Sequence, residues 1–334
     1  MKDGGFIKRI FCVLCCLIFL CGCSAKQTRA DFFAMNTIMQ ITAYGAPTDK
    51  ARELVQSLDK QLSVTDPDSD ISRINSSAGS SVSISESTSE LIQTSLEMCA
   101  RTNGALDITI YPVVREWGFT TDSFRIPDSG RLAALADYVD YRRVTVGGGS
   151  ACVPEGFMLD LGATAKGFAS DKVLALFRES EVSSALINLG GNIYALGSKP
   201  DGSPWEIGVA DPLDPQNICG KLALTDKAAV TSGNYERYFI GDDGVTYCHI
   251  IDPADCRPAD NGLAAVTIVA DSGVMSDALS TAMFVMGKNS AIEHWRSYRD
   301  FEMLLIESDG SITITEGLEG IFTPIGGRKY EIAR

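Results

Sequence analysis

Strand-like runs dominate this chain, and short turn signals rather than helices separate several of them, which restricts the fold to one rich in antiparallel pairing. The runs cover residues 33–43, 141–146, 185–196, 205–209, 235–240, 246–251, 263–270 and 301–307, with Asp242-Asp243-Gly244 and Asp309-Gly310 as turn chemistry between neighbours. Helical spacing appears at Ala51, Leu54, Val55, Leu58 and Leu62, and again at Leu91, Ile92, Ser95, Leu96 and Cys99 before Gly104. Further helices are predicted over 164–180 and 277–286, the latter capped by Ser276 and ended by Gly287. Residues 63–89, rich in Ser and Asp, read as loop with a short extended piece. Strands and helices do not alternate regularly. The predicted class is α+β, with mixed, largely antiparallel sheets and packed helices, rather than a doubly wound sheet.

The first residues are of another kind. Lys2, Lys8 and Arg9 precede an apolar stretch from Ile10 to Leu20, and Leu20-Cys21-Gly22-Cys23 follows. A charged start, a short apolar core and a small residue before a cysteine read as a signal peptide similar to those of bacterial lipoproteins, with cleavage after Gly22 and lipidation of Cys23. Cys21 stands where Ser or Ala is commoner. The predicted organisation is a signal peptide over residues 1–22, a lipid-anchored linker over 23–31 and one domain over 32–334, outside the cytoplasm on the bacterial cell membrane. The mature chain would carry 26 basic and 42 acidic residues, a balance of −16. That charge repels a phosphate backbone, so nucleic acid is excluded as a partner. Five cysteines remain in the body, an odd number, so at least one is free or paired between molecules.

Several segments carry candidate chemistry. Asp66-Pro-Asp68-Ser-Asp70 opens like a calcium loop, but Ile71 replaces the required Gly and Ser77 stands where Glu should close the site, so a solvated loop is expected. Of the two histidines, His294 lies in a polar helical run, whereas His249 ends a strand at a proline-marked turn, where an imidazole could face a cleft or serve as a satisfied structural histidine. Its neighbour Cys248 would point to the opposite face. Asp277 and Thr281 are four residues apart on one helix face and offer hard oxygen donors suited to magnesium; helix capping by the same side chains is the alternative. Leu159-Asp160-Leu-Gly-Ala-Thr-Ala-Lys166-Gly167 runs from a short strand through a small-residue turn into a helix, where backbone N–H groups and Lys166 could receive an anion; a tight strand-to-helix turn alone is the alternative. Gly190-Gly191 reads as a hairpin or a point of close packing.

Taken in chain order, these segments resemble the ApbE family of bacterial flavin transferases. The matching stretches are Met35-Asn-Thr37, Ser69-Asp-Ile-Ser-Arg-Ile-Asn75, Gly104-Ala-Leu-Asp107-Ile-Thr-Ile-Tyr-Pro112 with Trp117-Gly-Phe119, Asp160 to Gly167, Ile187-Asn-Leu-Gly-Gly191, Thr231-Ser-Gly233, His249-Ile-Ile-Asp-Pro253, and Ser276-Asp-Ala-Leu-Ser-Thr-Ala-Met-Phe-Val-Met-Gly287. The resemblance implies an ApbE-like, T-fold-related architecture and magnesium-dependent transfer of FMN from FAD to a Thr or Ser hydroxyl of an acceptor protein, with release of AMP. It implies that Asp277 and Thr281 bind magnesium with help from Ser280 and the carbonyl of Ala163. Met35, Ala105, Leu106, Asp107, Asp160, Lys166 and Ile251 would line the FAD site, and His249 would be the base. The implied acceptor is an exported FMN-binding domain or a membrane redox subunit. Three positions depart from the family pattern: Thr65 replaces a common Tyr, Asn36 a common Gly, and Asp255-Cys256-Arg257 interrupts a common Thr-Gly. Two other readings stay open, an FAD pyrophosphatase giving FMN and AMP, and a flavin-binding lipoprotein without turnover.

Overall fold

The computed structural model describes residues 26–121 and 123–334. The predicted signal peptide over 1–22 and the predicted lipidation site Cys23 lie outside them. Nine strands form one sheet and lie in it in the order in which they occur along the chain: Gln27–Ala34, Thr37–Tyr44, Ala185–Leu189, Asn192–Leu196, Lys227–Gly233, Leu263–Ala270, Glu302–Glu307, Ile312–Thr315 and Tyr330–Ala333. Neighbours are antiparallel throughout, except that the last two strands run parallel. Helices and small sheets are inserted between these strands, so the α+β expectation holds.

Both faces of this sheet are covered. Strand Leu263–Ala270 is buried at every position, which is why its sequence is a continuous apolar run without alternation. Val266 and Ile268 join the larger core, where helices Asp49–Leu62, Ala165–Glu179 and Gly273–Tyr298 contribute their apolar stripes. Ala265 and Val269 face a second core, closed by a three-stranded sheet of Trp205–Asp211, Asp214–Leu224 and Phe322–Pro324. A smaller cluster gathers Trp117, Phe119, Ile251 and Cys256. It supports the segment that carries His249.

Local structure departs from the sequence expectation where distant contacts decide. The first strand begins at Gln27 and not at residue 33, because Gln27 to Ala34 pair residue by residue with Tyr44 to Thr37. The expected linker over 23–31 is therefore sheet from Gln27 onward. The run 33–43 is broken by Met35 and Asn36, both in the left-handed region (φ 47° and 63°), which makes a two-residue hairpin turn. The run 185–196 likewise splits at Gly190-Gly191 into a hairpin. Residues 141–146 become a 3-10 turn, Tyr141–Arg143, and a short strand, Thr145–Gly147.

Residues 63–89 are not a loop. They contain helix Asp70–Asn75, strand Val82–Ser83 and the start of helix Glu86–Arg101. Ser69 caps the short helix by accepting the N–H of Ser72, and Asp70 is buried, accepting from the Ser85 N–H and the Thr88 hydroxyl. The solvated-loop reading of 66–70 fails at Asp70 for that reason. The helix expected over 277–286 spans Gly273–Tyr298, is capped by Ser272 rather than Ser276, and kinks at Gly287 (φ 76°, ψ 166°) instead of ending there. Among the described residues, Cys99, Cys152, Cys219, Cys248 and Cys256 are free thiols.

Candidate active site

Two helices meet at their N-terminal ends. Gly167, in the first turn of Ala165–Glu179, abuts Gly273 at the start of Gly273–Tyr298 so closely that a Cβ on Gly167 would overlap the Gly273 carbonyl and come within 2.7 Å of Asp277 Cβ. The absence of a side chain there lets the Gly167 N–H donate to Asp277 Oδ2 at 2.9 Å. That N–H is one of the donors a helix N-terminus leaves unpaired. It fixes the carboxylate of Asp277, which is almost fully buried. From the first helix, Asp171 reaches the start of the second, accepting from the N–H groups of Gly273 (2.6 Å) and Val274 (3.0 Å) and from the Ser272 hydroxyl (3.0 Å). Burial pushes the Asp171 carboxyl above its ordinary range, with those donors and the Ser272 hydroxyl opposing and the charge of Asp277 adding to the rise.

The oxygen atoms around Asp277 form a hard donor set. Ser280 Oγ donates to the Asp277 carbonyl at 2.8 Å, and Ser232 Oγ lies 2.8 Å from Ser280 Oγ and 3.3 Å from Thr281 Oγ1. Among the described residues, no backbone N–H pairs with the carbonyl of Ala163, which precedes the helix, and the Gly167 N–H four residues on goes to Asp277. One carboxylate, hydroxyls and a free carbonyl fit magnesium, which keeps waters and shares substrate phosphates. They fit a soft transition metal poorly. No group of three or more His, Cys, Asp or Glu suited to such an ion occurs among the described residues.

His249 follows the hairpin Tyr238–Ile240 and Thr246–Cys248, in which Tyr238 pairs with Cys248. Its N–H donates to the Arg237 carbonyl at 2.9 Å, and its Nδ1 lies 3.2 Å from the same oxygen. A carbonyl only accepts, so Nδ1 carries the hydrogen and Nε2 keeps its lone pair. The Phe119 ring stands edge-on to the imidazole at 6.4 Å between centroids. Protein crowding around the half-buried ring, with the positive charges of Arg237 and Lys166, pushes its pKa down to about 4, and the bond to the Arg237 carbonyl opposes this. The imidazole is neutral at pH 7. Cys248 is buried on the other side, as the alternation of a strand requires.

Lys166 connects the two halves. Its charge reaches both His249 and Asp160, whose carboxyl is raised by burial, against the Gly162 N–H (2.8 Å) and the charges of Arg237 and Lys166. Leu159 and Asp160 form no strand; Met158 makes an isolated parallel bridge with Ile110, and the Asp160 N–H donates to the Ile108 carbonyl at 2.8 Å. This contact brings segment 105–110 beside Asp160. Lys166 and the Asp277 oxygen set thus share the N-terminus of one helix, and the Lys166 charge is felt at the neutral imidazole.

The sequence profile of the ApbE family matches residues 35–305. The chain belongs to the ApbE family. A curated relative from Treponema pallidum, named an FAD:protein FMN transferase, is 31% identical over 95% of this chain and 96% of its own length. One of the same name from Escherichia coli K12 is 28% identical over 84% and 87%. Among solved structures, the ApbE protein of Thermotoga maritima superposes with a TM-score of 0.83 at 29% identity, covering 89% of this chain and 99% of that one. The flavin transferase ApbE of Vibrio cholerae gives 0.80 at 26%, covering 89% and 99%. These structures share the α+β architecture described above.

Of the residues expected from the ApbE resemblance, Asp277, Ser280 and Thr281 lie together with Ser232, and the charge of Lys166 reaches Asp160 and His249. Three others enter in a particular way. The Asp107 carboxylate is buried and accepts from the Thr109 N–H (2.8 Å), the Thr109 hydroxyl (2.6 Å) and the Tyr141 N–H (2.9 Å), so its side chain shapes the 105–110 turn. Leu106 is buried and Ala105 packs on the same core. Ile251 is buried in the cluster of Trp117 and Cys256, which leaves its backbone rather than its side chain for a ligand. Met35 occupies the hairpin turn next to Thr37, and Thr37 packs so tightly on Gly190 that a Cβ there would be displaced. Sequence reasoning missed Ser232, Arg237, Asp171 and the Gly167–Gly273 contact. The local signals were the Thr231-Ser-Gly233 match for Ser232 and the Asp160 to Gly167 match for Gly167.

Proposed function

We propose that this ApbE-family protein transfers FMN from FAD to a Thr or Ser hydroxyl of an acceptor protein, forming a phosphoester and releasing AMP, with magnesium as the required ion. The observation that supports the reading is the oxygen set of Asp277, Ser280, Thr281 and the Ala163 carbonyl at the helix end that carries Lys166, whose charge is felt at a neutral imidazole with a free Nε2. A chain this acidic needs such a local cation site to accept a pyrophosphate.

In this mechanism Asp277, Thr281, Ser280 and the Ala163 carbonyl would hold magnesium, which when bound would neutralise phosphate charge and polarise the phosphoryl group. Lys166 and the helix N-terminus attract the pyrophosphate. Asp160, the 105–107 turn, Met35 and the Ile251 backbone orient the rest of FAD. His249 Nε2 takes the proton of the acceptor hydroxyl as its oxygen attacks the FMN phosphorus; the P–O bond to the AMP phosphate breaks, and AMP leaves with that electron pair. With a pKa of about 4, the imidazole is a deprotonated base at neutral pH.

The same reading places the protein outside the cytoplasm, lipid-anchored at Cys23 after removal of residues 1–22, with one catalytic unit reaching to residue 334. Its acceptor is an exported FMN-binding domain or a membrane redox subunit. The test is intact-mass spectrometry of such a domain incubated with FAD, magnesium and the protein. A single FMN phosphoryl increment on a Thr or Ser, lost with His249→Gln, supports transfer; an unchanged acceptor mass refutes it.

A further inference from the structure

The reaction above needs one tautomer of His249, and the structure shows what selects it. The antiparallel register that pairs Tyr238 with Cys248 sets Arg237 opposite His249, and directly opposed residues project to the same side of a hairpin. Arg237 therefore meets His249 twice. Its carbonyl takes the His249 N–H at 2.9 Å and lies 3.2 Å from Nδ1. Its guanidinium Nη2 donates to the Phe119 carbonyl at 2.6 Å, across 118 residues of chain. Phe119 in turn sets its ring edge-on against the imidazole.

We infer that Arg237 is a positioning residue for His249: its guanidinium fastens Phe119 to the hairpin, and its carbonyl, held in place by that fastening, keeps the hydrogen on Nδ1 and Nε2 toward the acceptor. This rests on the reading of His249 as the base. The carbonyl survives any substitution at 237, so the side chain acts through the placement it imposes. Lysine at 237 would keep the positive charge but not the planar fork that reaches a carbonyl in a fixed direction. A misplacement of about 1 Å at a reacting group costs about 10²-fold in rate.

The chain contains only two histidines, His249 and His294, so a spectrum of 15N-histidine-labelled protein shows two imidazoles, assigned with His294→Gln. The wild type is expected to show His249 as the Nδ1–H tautomer, and Arg237→Met to show a mixture of tautomers. In the same variant kcat for acceptor modification is expected to fall at least ~10-fold while KM for FAD stays within about threefold, the signature of a group acting on the reacting geometry. Arg237→Lys should fall between, and carries the same comparison if Arg237→Met does not fold. A wild-type tautomer with wild-type kcat overturns the inference, as does a raised KM for FAD at unchanged kcat, which would make Arg237 a substrate-binding residue. His249→Gln separates the two levels: full transfer by that variant defeats the base assignment itself, whereas its inactivity beside a fully active Arg237→Met defeats only the positioning role.

Discussion

Replacing Gly167 by alanine adds one methyl group at the point where the two site helices touch. In an ordinary helix the change would stabilise by about 0.5–1 kcal/mol, because alanine loses less conformational freedom than glycine. Here the new Cβ would overlap the Gly273 carbonyl oxygen, sit 2.6 Å from the Gly273 carbonyl carbon and 2.7 Å from Asp277 Cβ. Two of these atoms are backbone, so no side-chain rotation relieves the clash. Overpacking of this kind costs about 1–3 kcal/mol, which exceeds the propensity gain, and the helices must separate. Separation lengthens the 2.9 Å bond from the Gly167 N–H to Asp277 Oδ2 and displaces a proposed magnesium ligand by a distance comparable to the clash. The expected outcome is a melting temperature lowered by several degrees and AMP release reduced about 10²-fold, measured by calorimetry and by chromatographic quantification of AMP. A Gly167→Ala protein with a raised melting temperature and wild-type turnover would refute the claim that this contact sets the site.

Asp277→Ala removes the only carboxylate of the donor set; magnesium stimulation of AMP release is expected to disappear, and titration calorimetry to show no high-affinity magnesium site. Asp171→Ala deletes three hydrogen bonds at the start of Gly273–Tyr298, so stability is expected to fall by about 1–2 kcal/mol and magnesium to bind more weakly, as read by chemical denaturation and by calorimetry. In the proposed mechanism His249 acts deprotonated, and its pKa is pushed down to about 4 from the ordinary 6.5. The acid limb of kcat/KM, which reports the free enzyme, should therefore lie well below pH 6.5, with activity flat from pH 8 to about 6 and lost as pH falls further. A limb centred at 6.5 would contradict the environment described for the ring.

The central strands and the main helices were legible because their signals are local. The heptad-like recurrence of Ala51, Val55, Leu58 and Leu62 becomes the buried stripe of a helix, and the unbroken run 263–270 becomes a strand covered on both faces. Errors arose where two local signals competed. Ser276 reads as a cap by its position, yet Ser272 caps the helix by accepting the Met275 N–H, and the carboxylate of Asp171, about a hundred residues away, holds the first turn at Gly273. Residues 63–89 look like loop because their helix is a single turn and a half, stabilised by Asp70 reaching Ser85 and Thr88 rather than by its own propensity. At the site, the residues proposed to carry charge or lone pairs toward a ligand, such as Asp277, Lys166 and His249, come from motif resemblance. Those that act by contact could not: Gly167 against Gly273, Ser232 beside Ser280, and the Arg237 guanidinium on Phe119 are relations between distant segments with no periodicity of their own.

The central claim is that the FMN phosphoryl group ends on a protein hydroxyl and not on water. Quantifying AMP and flavinylated acceptor in the same reaction, with FAD and magnesium in excess over acceptor, tests it most directly. The account gives one AMP for each acceptor modified, with both ceasing when acceptor is exhausted. AMP and free FMN accumulating together while the acceptor remains unmodified would contradict it.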